Sequence, residues 1–369
     1  MLRPPFPSFR PGPCGCRRSG QCILPPRVLR TVAERGNEHQ RRVALRTLAL
    51  DETMRSARLE TGARSAAGAL QRVSAVAPLR EPAKTRLVRD AAGGEDLQSP
   101  IARREGDPPL GDLAVDEAYE YLGVTWDFYF AVFARDSIDQ QGMALDCVVH
   151  YGEDYDNAFW NGEQMVFGDG SGVIFTRLTQ SLSVCAHELT HGVIQYDGPL
   201  VYQRQSGALN ESVADCFGAI IDQYHRGETA EQADWLIGRE LLAPGVTGRA
   251  LRSLAEPGTA YDDDVLGKDP QPAHMDDYID TTEDNGGVHL NSGIPNRAFH
   301  RLATRLGGPS WEHAGRILYT TLGHPRLRPT ASVRAFGRVS ADVARTLYGA
   351  QSREADAVAA AWADVGVEL

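Results

Sequence analysis

The sequence predicts an α+β protein of two lobes, a β-rich lobe followed by a helical one. Short β-type runs at 86–88, 145–150 and 165–167 surround one helical stretch in the first half of the chain. From about residue 181 almost to the C-terminus, apolar residues recur instead with the helical period. The cleft between two such lobes is the expected place for a functional site.

Length and composition exclude several classes of protein. The chain has 369 residues, of which 42% are hydrophobic and 24% charged, as in ordinary folded proteins. No apolar run approaches the ~18 residues of a membrane-spanning helix. Six cysteines are too few for a disulfide scaffold, and the net charge of −11 argues against a nucleic-acid partner.

Positive charge is concentrated at the N-terminus. Residues 1–46 contain ten arginines and two acidic residues, so this head carries +8 and the rest of the chain −19. A basic head on an acidic body indicates either that the head docks in an acidic cleft or that it is a solvated tail. Charge alone leaves both alternatives open.

Composition divides the chain into five segments. The first is rich in Pro, Gly and Arg, and it lacks the apolar core of a secretory signal. Pro25 and Pro26 begin a helix in the second, and the third is a linker of mostly small residues and arginine. Gly-Asp-Gly at 168–170 predicts a hairpin turn in the β-rich lobe. The segments are 1–20 (disordered), 21–60 (helical head), 61–85 (linker), 86–180 (β-rich lobe) and 181–369 (helical lobe).

The segment from His187 to His191 has the sequence His-Glu-Leu-Thr-His. On a helix, histidines at i and i+4 lie about 40° apart, so both imidazoles can bind one metal ion from the same face. Glu188 lies beside them, within reach of a water at the metal. Chance alone gives roughly 0.02 such motifs in a chain of this composition. The alternative is two surface histidines on an ordinary helix.

A second helix supplies the third candidate ligand of a zinc site. Glu211 lies between the apolar residues Leu209 and Val213, and burying a carboxylate without a partner is costly. A zinc ion would remove that cost. Asp215, one turn further along the same face, is expected to accept a hydrogen bond from the outer nitrogen of a zinc-bound histidine. The alternative is an exposed acidic face.

These motifs resemble those of the thermolysin-like neutral metallopeptidases, and within them the protealysin-like subgroup. The resemblance runs from about Cys22 to the C-terminus. It rests on four motifs in order, at 157–162, 187–191, 207–215 and 284–293. The subgroup rests on a segment that resembles its propeptide signature, with Pro25, Pro26 and Leu29. The resemblance implies a two-lobed thermolysin-like fold with the zinc site in the cleft, preceded by a short helical propeptide.

The resemblance also implies a role for each residue that matches a family motif. It implies zinc ligands at His187, His191 and Glu211, with outer hydrogen-bond partners at Asp215 and Asn210. It implies a general base at Glu188 and oxyanion donors at Tyr202 and His289, the latter oriented by Asp284. It implies substrate-backbone binding by Asn157, Ala158 and Arg252, and an apolar pocket of Phe175, Leu178, Val184, Ile237 and Leu251. Taken singly, Tyr202, Arg252 and His289 also fit a packed aromatic, a surface charge and a core histidine.

The function implied is that of a zinc endopeptidase that cleaves on the amino side of bulky hydrophobic residues. It would be made as a latent precursor, inhibited by its own propeptide and self-processed before a residue such as Leu70, Val73 or Leu79. We expect peptide or protein substrates, a monomer, no membrane or nucleic-acid partner, and secretion, with a cytoplasmic precursor as the alternative. The rival functions are an inactive homologue that binds only zinc or peptide, and an aminopeptidase.

The paired calcium site of larger family members is predicted to be absent. Of the matching positions, Asp222 and Asp234 remain acidic, but the others are Ser183, Leu236 and Arg239. A calcium ion needs several oxygen ligands, and Arg239 adds a positive charge among them.

The cysteines carry two further expectations. Cys185 and Cys216 fall on the two zinc helices and are expected to be small core residues. A thiolate from Cys14, Cys16 or Cys22 is a hypothetical fourth zinc ligand that keeps the enzyme latent. The alternative is that these thiols have no role.

Overall fold

The computed structural model describes residues 21–69, 81–198 and 200–369, with only the backbone described for residues 55–69. The segment expected to be disordered, 1–20, lies outside the described residues together with Cys14 and Cys16. So do residues 70–80 of the expected linker, which contain Leu70, Val73 and Leu79.

The head forms one short strand and two helices. They are β1 (Gln21–Cys22), α1 (Pro26–Arg35) and α2 (Glu38–Ala69). The helix α1 begins where the sequence predicts, because Pro25 is extended and Pro26 takes the first turn, where a missing N–H costs nothing. Its buried face includes Val28, Leu29 and Val32.

The helix α2 extends into the segment predicted to be a linker. Its backbone is helical through residues 61–69, so the composition was a poor guide to this part of the segment. The physical reason is that four of these nine residues are alanine and one is arginine, both strong helix formers, while glycine and serine occur there only singly.

The β-rich lobe contains a six-stranded sheet with the order β1-β5-β6-β4-β2-β3. Its strands from the body are β2 (Arg86–Asp90), β3 (Ile101–Arg104), β4 (Leu145–Val149), β5 (Ala158–Trp160) and β6 (Met165–Phe167). The expected β-type runs lie in these strands, except that the second ends one residue early at Val149, and the expected helix is α3 (Leu113–Phe133). The head strand β1 adds to the edge of the sheet by pairing antiparallel with β5.

The predicted hairpin turn at 168–170 is wrong. The hairpin between β5 and β6 closes earlier, where the side-chain oxygen of Asn161 accepts hydrogen bonds from the N–H groups of Glu163 and Gln164. Gly168 instead lets the backbone pass close to Tyr155, since a Cβ there would lie 2.0 Å from the carbonyl oxygen of Tyr155. The absence of a side chain, and not a hairpin, explains this glycine.

The helical lobe begins at the second large helix of the body. Its helices are α4 (Leu182–Asp197), α5 (Arg204–Arg226), α6 (Asp284–Asn291), α7 (Gly293–Leu306), α8 (Ala314–Leu322), α9 (Val333–Tyr348) and α10 (Arg353–Ala363). Four two-residue strands also occur: β7 (Leu236–Ile237), β8 (Arg252–Ser253), β9 (Asp262–Asp263) and β10 (Gly267–Lys268). Cys185 and Cys216 are buried in the core, as expected. None of the described helices has both the length and the apolar character to cross a membrane.

The described part of the head docks on the body and is not a solvated tail. Ile23, Leu24 and Leu29 are buried in the same core as the residues of both lobes. The ion pairs between head and body, such as Arg30 with Glu283, join exposed side chains and contribute little. Apolar burial therefore holds the head in place far more than the charge difference that first suggested docking.

Candidate active site

The helix α4 presents two histidines to the cleft. The side chains of His187 and His191 are fully buried, and their Nε2 atoms lie 3.0 Å apart. This is the arrangement that the i, i+4 spacing predicts.

Glu211 completes a cluster of three potential ligands. It projects from α5, with its carboxylate oxygens 3.5 Å from His187 Nε2 and 3.4 Å from His191 Nε2. One ligand atom from each of the three residues lies within 4.8 Å of the other two. Among the described residues, this is the one group of three or more His, Cys, Asp and Glu side chains placed to hold a metal ion.

The outer nitrogens of both histidines face hydrogen-bond acceptors. His187 Nδ1 lies 2.9 Å from Asp215 Oδ1, and His191 Nδ1 lies 2.9 Å from Asn210 Oδ1. The Asn210 amide is oriented by donating to the carbonyl oxygen of Leu200. An acceptor beside each Nδ1 favours the tautomer with its proton on Nδ1, which leaves the lone pair of Nε2 facing inward.

The inner atoms of the cluster fit a zinc ion. Two nitrogen lone pairs and a carboxylate converge, and three acceptors at such short distances repel one another without a cation between them. Two neutral histidines with one carboxylate are a common ligand set of catalytic zinc, which leaves a fourth position open.

Asp215 is held by a second strong partner, Arg252. The guanidinium makes three hydrogen bonds of 2.8 to 3.1 Å to the carboxylate, and Asn296 adds another at 2.9 Å. Burial alone would raise the pKa of Asp215, but the charge of Arg252 outweighs it and holds the pKa far below its usual value. Asp215 is thus a permanent anion behind His187. The pairing with Arg252 was not expected from the sequence.

Two hydrogen-bond donors lie across the cleft from the histidines. The Tyr202 hydroxyl donates to Glu211 and lies 3.2 Å from His289 Nε2. His289 Nδ1 lies 2.7 Å from Asp284. Burial opposes a charged imidazole, but the carboxylates of Asp284 and Glu211 raise the pKa of His289 to about 9. The Tyr202 hydroxyl and the His289 imidazolium are therefore both hydrogen-bond donors at neutral pH.

An unusual turn brings Asp284 under His289. Asp284, Asn285, Gly286 and Gly287 all have positive φ, from 51° to 85°. Glycine and asparagine are the residues that adopt this conformation most readily. The turn folds the Asp284 carboxylate back onto both the backbone N–H and the ring of His289.

The head runs through this site along the edge strand β5. The N–H of Ile23 donates to the Ala158 carbonyl at 3.0 Å, and the N–H of Leu24 donates to Asn157 Oδ1 at 3.0 Å. Arg252 donates to the Ile23 carbonyl at 2.8 Å. The Cys22 carbonyl lies 2.7 Å from His289 Nε2, beside the cluster of three ligands.

The expected pocket residues are all buried, but only some lie next to the head. Phe175 and Leu251 line a narrow cavity together with Leu24 and Pro25 of the head. Sequence reasoning missed several further residues of this lining, among them Leu242, Tyr261 and Leu266. They lie in loops without a regular apolar pattern, so no sequence signal marks them. Leu178, Val184 and Ile237 do not line this cavity and are core residues.

Comparison with known proteins decides the family. The model for the catalytic domain of thermolysin metallopeptidases matches residues 106–195, and the model for their α-helical domain matches residues 198–367. The chain belongs to the thermolysin family of metallopeptidases. The boundary between the two matches falls at the C-terminal end of α4.

Relatives within the family extend the match to the head. An extracellular metalloprotease of Pectobacterium carotovorum subsp. carotovorum is 49% identical over 94% of this chain and 96% of its own length. An extracellular minor metalloprotease of Serratia marcescens is 40% identical over 92% of each chain. The structure of the protealysin precursor from Serratia proteamaculans superposes with a TM-score of 0.84 at 47% identity, covering 94% of this chain and 99% of that one. The thermolysin-like fold and the protealysin-like resemblance are confirmed.

One thiol of this thermolysin-family chain does not lie where the sequence hypothesis put it. The Cys22 side chain packs with Leu50, Tyr155 and Phe159 in a small apolar cluster and is not among the atoms that converge on the metal position. For Cys22, the idea of a thiolate ligand is wrong. Strand geometry explains the result, because pairing with β5 turns this side chain to the far face of the sheet.

Sequence reasoning also missed an acidic residue of the head. Asp51 on α2 is fully buried, and it accepts hydrogen bonds from the Tyr155 hydroxyl at 2.6 Å and the Asn157 amide at 3.0 Å. It therefore orients the side chain that binds Leu24. The signal was present in the sequence, since Asp51 follows a helical apolar run just as Glu211 does.

Proposed function

We propose that this member of the family is a zinc-dependent endopeptidase made as a latent precursor, whose head binds in the cleft like a substrate. One observation carries the proposal. The backbone from Cys22 to Leu24 is bound on both edges, by β5 on one side and by Arg252 and His289 on the other, and a carbonyl lies beside the three ligands.

The ligands His187, His191 and Glu211 would hold one zinc ion, which supplies a Lewis acid that activates water and polarises a carbonyl. Glu188 precedes the second histidine by three residues and is buried beside the cluster. We assign it the role of general base, which takes the proton of the attacking water on its carboxylate and later delivers it to the leaving amine.

Tyr202 and His289 would stabilise the charge that develops on the carbonyl oxygen. His289 already donates to the Cys22 carbonyl, and Tyr202 lies beside it. Burial raises the pKa of Tyr202 well above its usual value, so its hydroxyl keeps its proton. Donors fixed in this way act most strongly on an oxyanion, which exists only in the transition state.

We propose that cleavage falls on the amino side of bulky hydrophobic residues. Ile23 and Leu24 follow the carbonyl at His289, and both are buried against apolar residues of the body. Phe175 and Leu251 contribute to that apolar surface. A charged side chain in this position would lose its hydration without gaining a partner.

Latency follows from the position of the head. A peptide substrate needs the same edge strand and the same donors that the head occupies, so the cleft is closed until the head leaves. We propose that self-processing within residues 60–85 releases it. Two relatives are named extracellular metalloproteases, which supports secretion as the place of action.

The proposal is tested by incubating the purified full chain with a peptide library and sequencing the N-terminus of the enzyme over time. Hydrolysis should begin only after the chain is cut within 60–85, and it should favour large apolar residues after the cut. A zinc chelator should stop hydrolysis, and added zinc should restore it. Hydrolysis by the intact chain, or hydrolysis that survives removal of zinc, would contradict the proposal.

We also propose that Arg239 takes the place of the paired calcium ions. Its guanidinium binds Asp222 and lies 2.7 Å from Asp234 and 3.3 Å from Glu240. The acids that would bind a cation are therefore already paired with one. Ser183 is engaged as well, since its hydroxyl accepts from the N–H of Gly238.

Calcium is therefore expected to leave thermal stability unchanged. A ligand at a hundred times its Kd stabilises the fold by about 2.7 kcal/mol, which would raise the midpoint of thermal unfolding by several degrees. Thermal unfolding of the zinc-loaded chain should give the same midpoint with and without millimolar calcium. A rise in the midpoint would show that a calcium site exists.

A further inference from the structure

Three consecutive residues of the head are each connected to a different zinc ligand through groups that hold that ligand. Gln21 donates to Asn210 Oδ1, the atom that also accepts from His191. The carbonyl of Ile23 accepts from Arg252, which binds Asp215 behind His187. The carbonyl of Cys22 lies at His289, which neighbours Tyr202, the donor to Glu211.

All of these contacts are buried. The side chains that connect the head to the ligands are between 0 and 6% exposed: Gln21, Asn210, Asp215, Arg252, Tyr202 and His289. Hydrogen bonds in such a dry environment are stronger than at a surface, and they polarise one another along a chain. The head thus restrains the partners of all three ligands at once.

We propose that the head has a second role besides blocking the cleft, which is to retain the zinc ion in the precursor. This inference rests on the proposed function for the identity of the metal. Outer partners set the orientation and basicity of metal ligands, and losing one typically lowers metal affinity 10- to 100-fold. Residues 21–23 add one contact to each of three such partners, which the body also holds, so their departure leaves the partners less restrained and is expected to weaken zinc binding.

The coupling must act in both directions. If docking of the head raises the affinity for zinc by some factor, zinc raises the stability of head docking by the same factor. The zinc affinity of the precursor and the stability of the docked head then both report the same coupling free energy. Each can be measured without any turnover of substrate.

Gln21 is the residue through which this role can be tested. Cys22 and Ile23 act through their carbonyl groups, which no side-chain replacement removes, whereas Gln21 acts through its side-chain amide. Gln21→Met keeps the length of the side chain but cannot donate to Asn210. The strand pairing of Gln21 with Trp160 uses the backbone and is retained.

A matched control comes from the exposed side of the same head. Arg30 on α1 forms an exposed ion pair with Glu283. Arg30→Gln therefore perturbs the docking of the head by a small amount while leaving the groups around the ligands untouched.

The test compares zinc release from three full-length chains, all carrying Glu188→Gln so that none processes itself. Each chain is loaded with one zinc ion and mixed with an excess of a chromogenic chelator, whose absorbance follows release. Gln21→Met is expected to release zinc about tenfold faster than the parent, and Arg30→Gln at the parental rate. Release from Gln21→Met at the parental rate would overturn the proposal, because the head still covers the site and mere enclosure would then explain retention.

A second measurement on the parent chain removes any dependence on how Gln21→Met folds. Hydrogen exchange of the backbone N–H groups of Ile23 and Leu24 should slow about tenfold or more when zinc is added to the metal-free chain. Exchange that does not change with zinc would equally overturn the proposal. Either failure leaves peptide hydrolysis by the processed enzyme, and hence the proposed function, intact.

Discussion

Replacement of Glu188 by glutamine is expected to lower the rate of peptide hydrolysis by about 10²- to 10⁴-fold while zinc stays bound. Glutamine has the size and shape of glutamate but cannot take a proton at neutral pH. The three ligands His187, His191 and Glu211 are unchanged, so the metal content should be that of the wild type. The measurement is kcat/KM on a hydrophobic peptide after a second protease has removed the head from every form, because Glu188→Gln cannot process itself, with zinc determined by mass spectrometry.

An exposed carboxylate of the β-rich lobe provides the control for this variant. Glu163 is exposed in the hairpin between β5 and β6, and Glu163→Gln removes the same charge without touching the site. It should hydrolyse peptides at the wild-type rate. Wild-type hydrolysis by Glu188→Gln would mean that another group is the base, and loss of zinc from that variant would mean that Glu188 supports the metal.

The centre of the site could be predicted from the sequence because its residues lie close together along two helices. Two histidines one helical turn apart face the same way on any straight α-helix, and α4 is such a helix. The burial of Glu211 followed from the apolar residues around it. The outer partners Asp215 and Asn210 lie one turn after and one residue before Glu211, so the same helix carries them to the same site.

The pairing of distant segments could not be predicted in this way. Nothing in the composition of Gln21 and Cys22 indicates that they pair with β5, more than 130 residues later in the chain. The bond between Arg252 and Asp215 also joins separate elements, and a lone arginine carries no periodic signal. Gly168 is required because the backbone passes close to Tyr155, but in the sequence Gly-Asp-Gly looks like a turn.

The charge difference between head and body gave a correct expectation for an incomplete reason. The head docks, but the described ion pairs across the interface, such as Arg46 with Glu153, are exposed. Exposed pairs contribute about 0–1 kcal/mol each. Burial of one leucine or isoleucine side chain contributes about 1.5–3 kcal/mol, and the head buries several. Charge steers the head towards the body, whereas apolar contacts keep it there.

Arg252→Met is expected to have the largest effect on stability, about 3–5 kcal/mol in the free energy of unfolding. The arginine is buried and supplies three of the hydrogen bonds to Asp215. Without it, the Asp215 carboxylate stays in a dry site with its charge no longer balanced by a guanidinium. Urea unfolding of the full chain in the Glu188→Gln background measures the loss.

An exposed arginine sets the scale for this loss. Arg326 pairs with Asp342 at the surface, where the arginine side chain is 63% exposed, so Arg326→Met should cost about 0–1 kcal/mol. Arg252 is the charge that lowers the pKa of Asp215, so in Arg252→Met burial raises that pKa relative to the wild type, and the deficit should shrink as the pH falls and the carboxylate takes up a proton. Equal losses in the two variants would contradict the assignment of a buried, essential pair.

The double variant Arg252→Met with Asp215→Asn distinguishes the role of Asp215 in stability from its role in zinc binding. Removing both charges leaves no unbalanced carboxylate, so the double variant should be more stable than Arg252→Met alone, with a coupling of about 0.5–3 kcal/mol. Zinc affinity should instead fall about tenfold or more below that of Arg252→Met, because an amide is a weaker acceptor than a carboxylate for the proton on His187 Nδ1. Higher stability with unchanged zinc affinity would mean that Asp215 serves only to balance the charge of Arg252. Stability without affinity would mean that the chain keeps this buried pair for the sake of the metal.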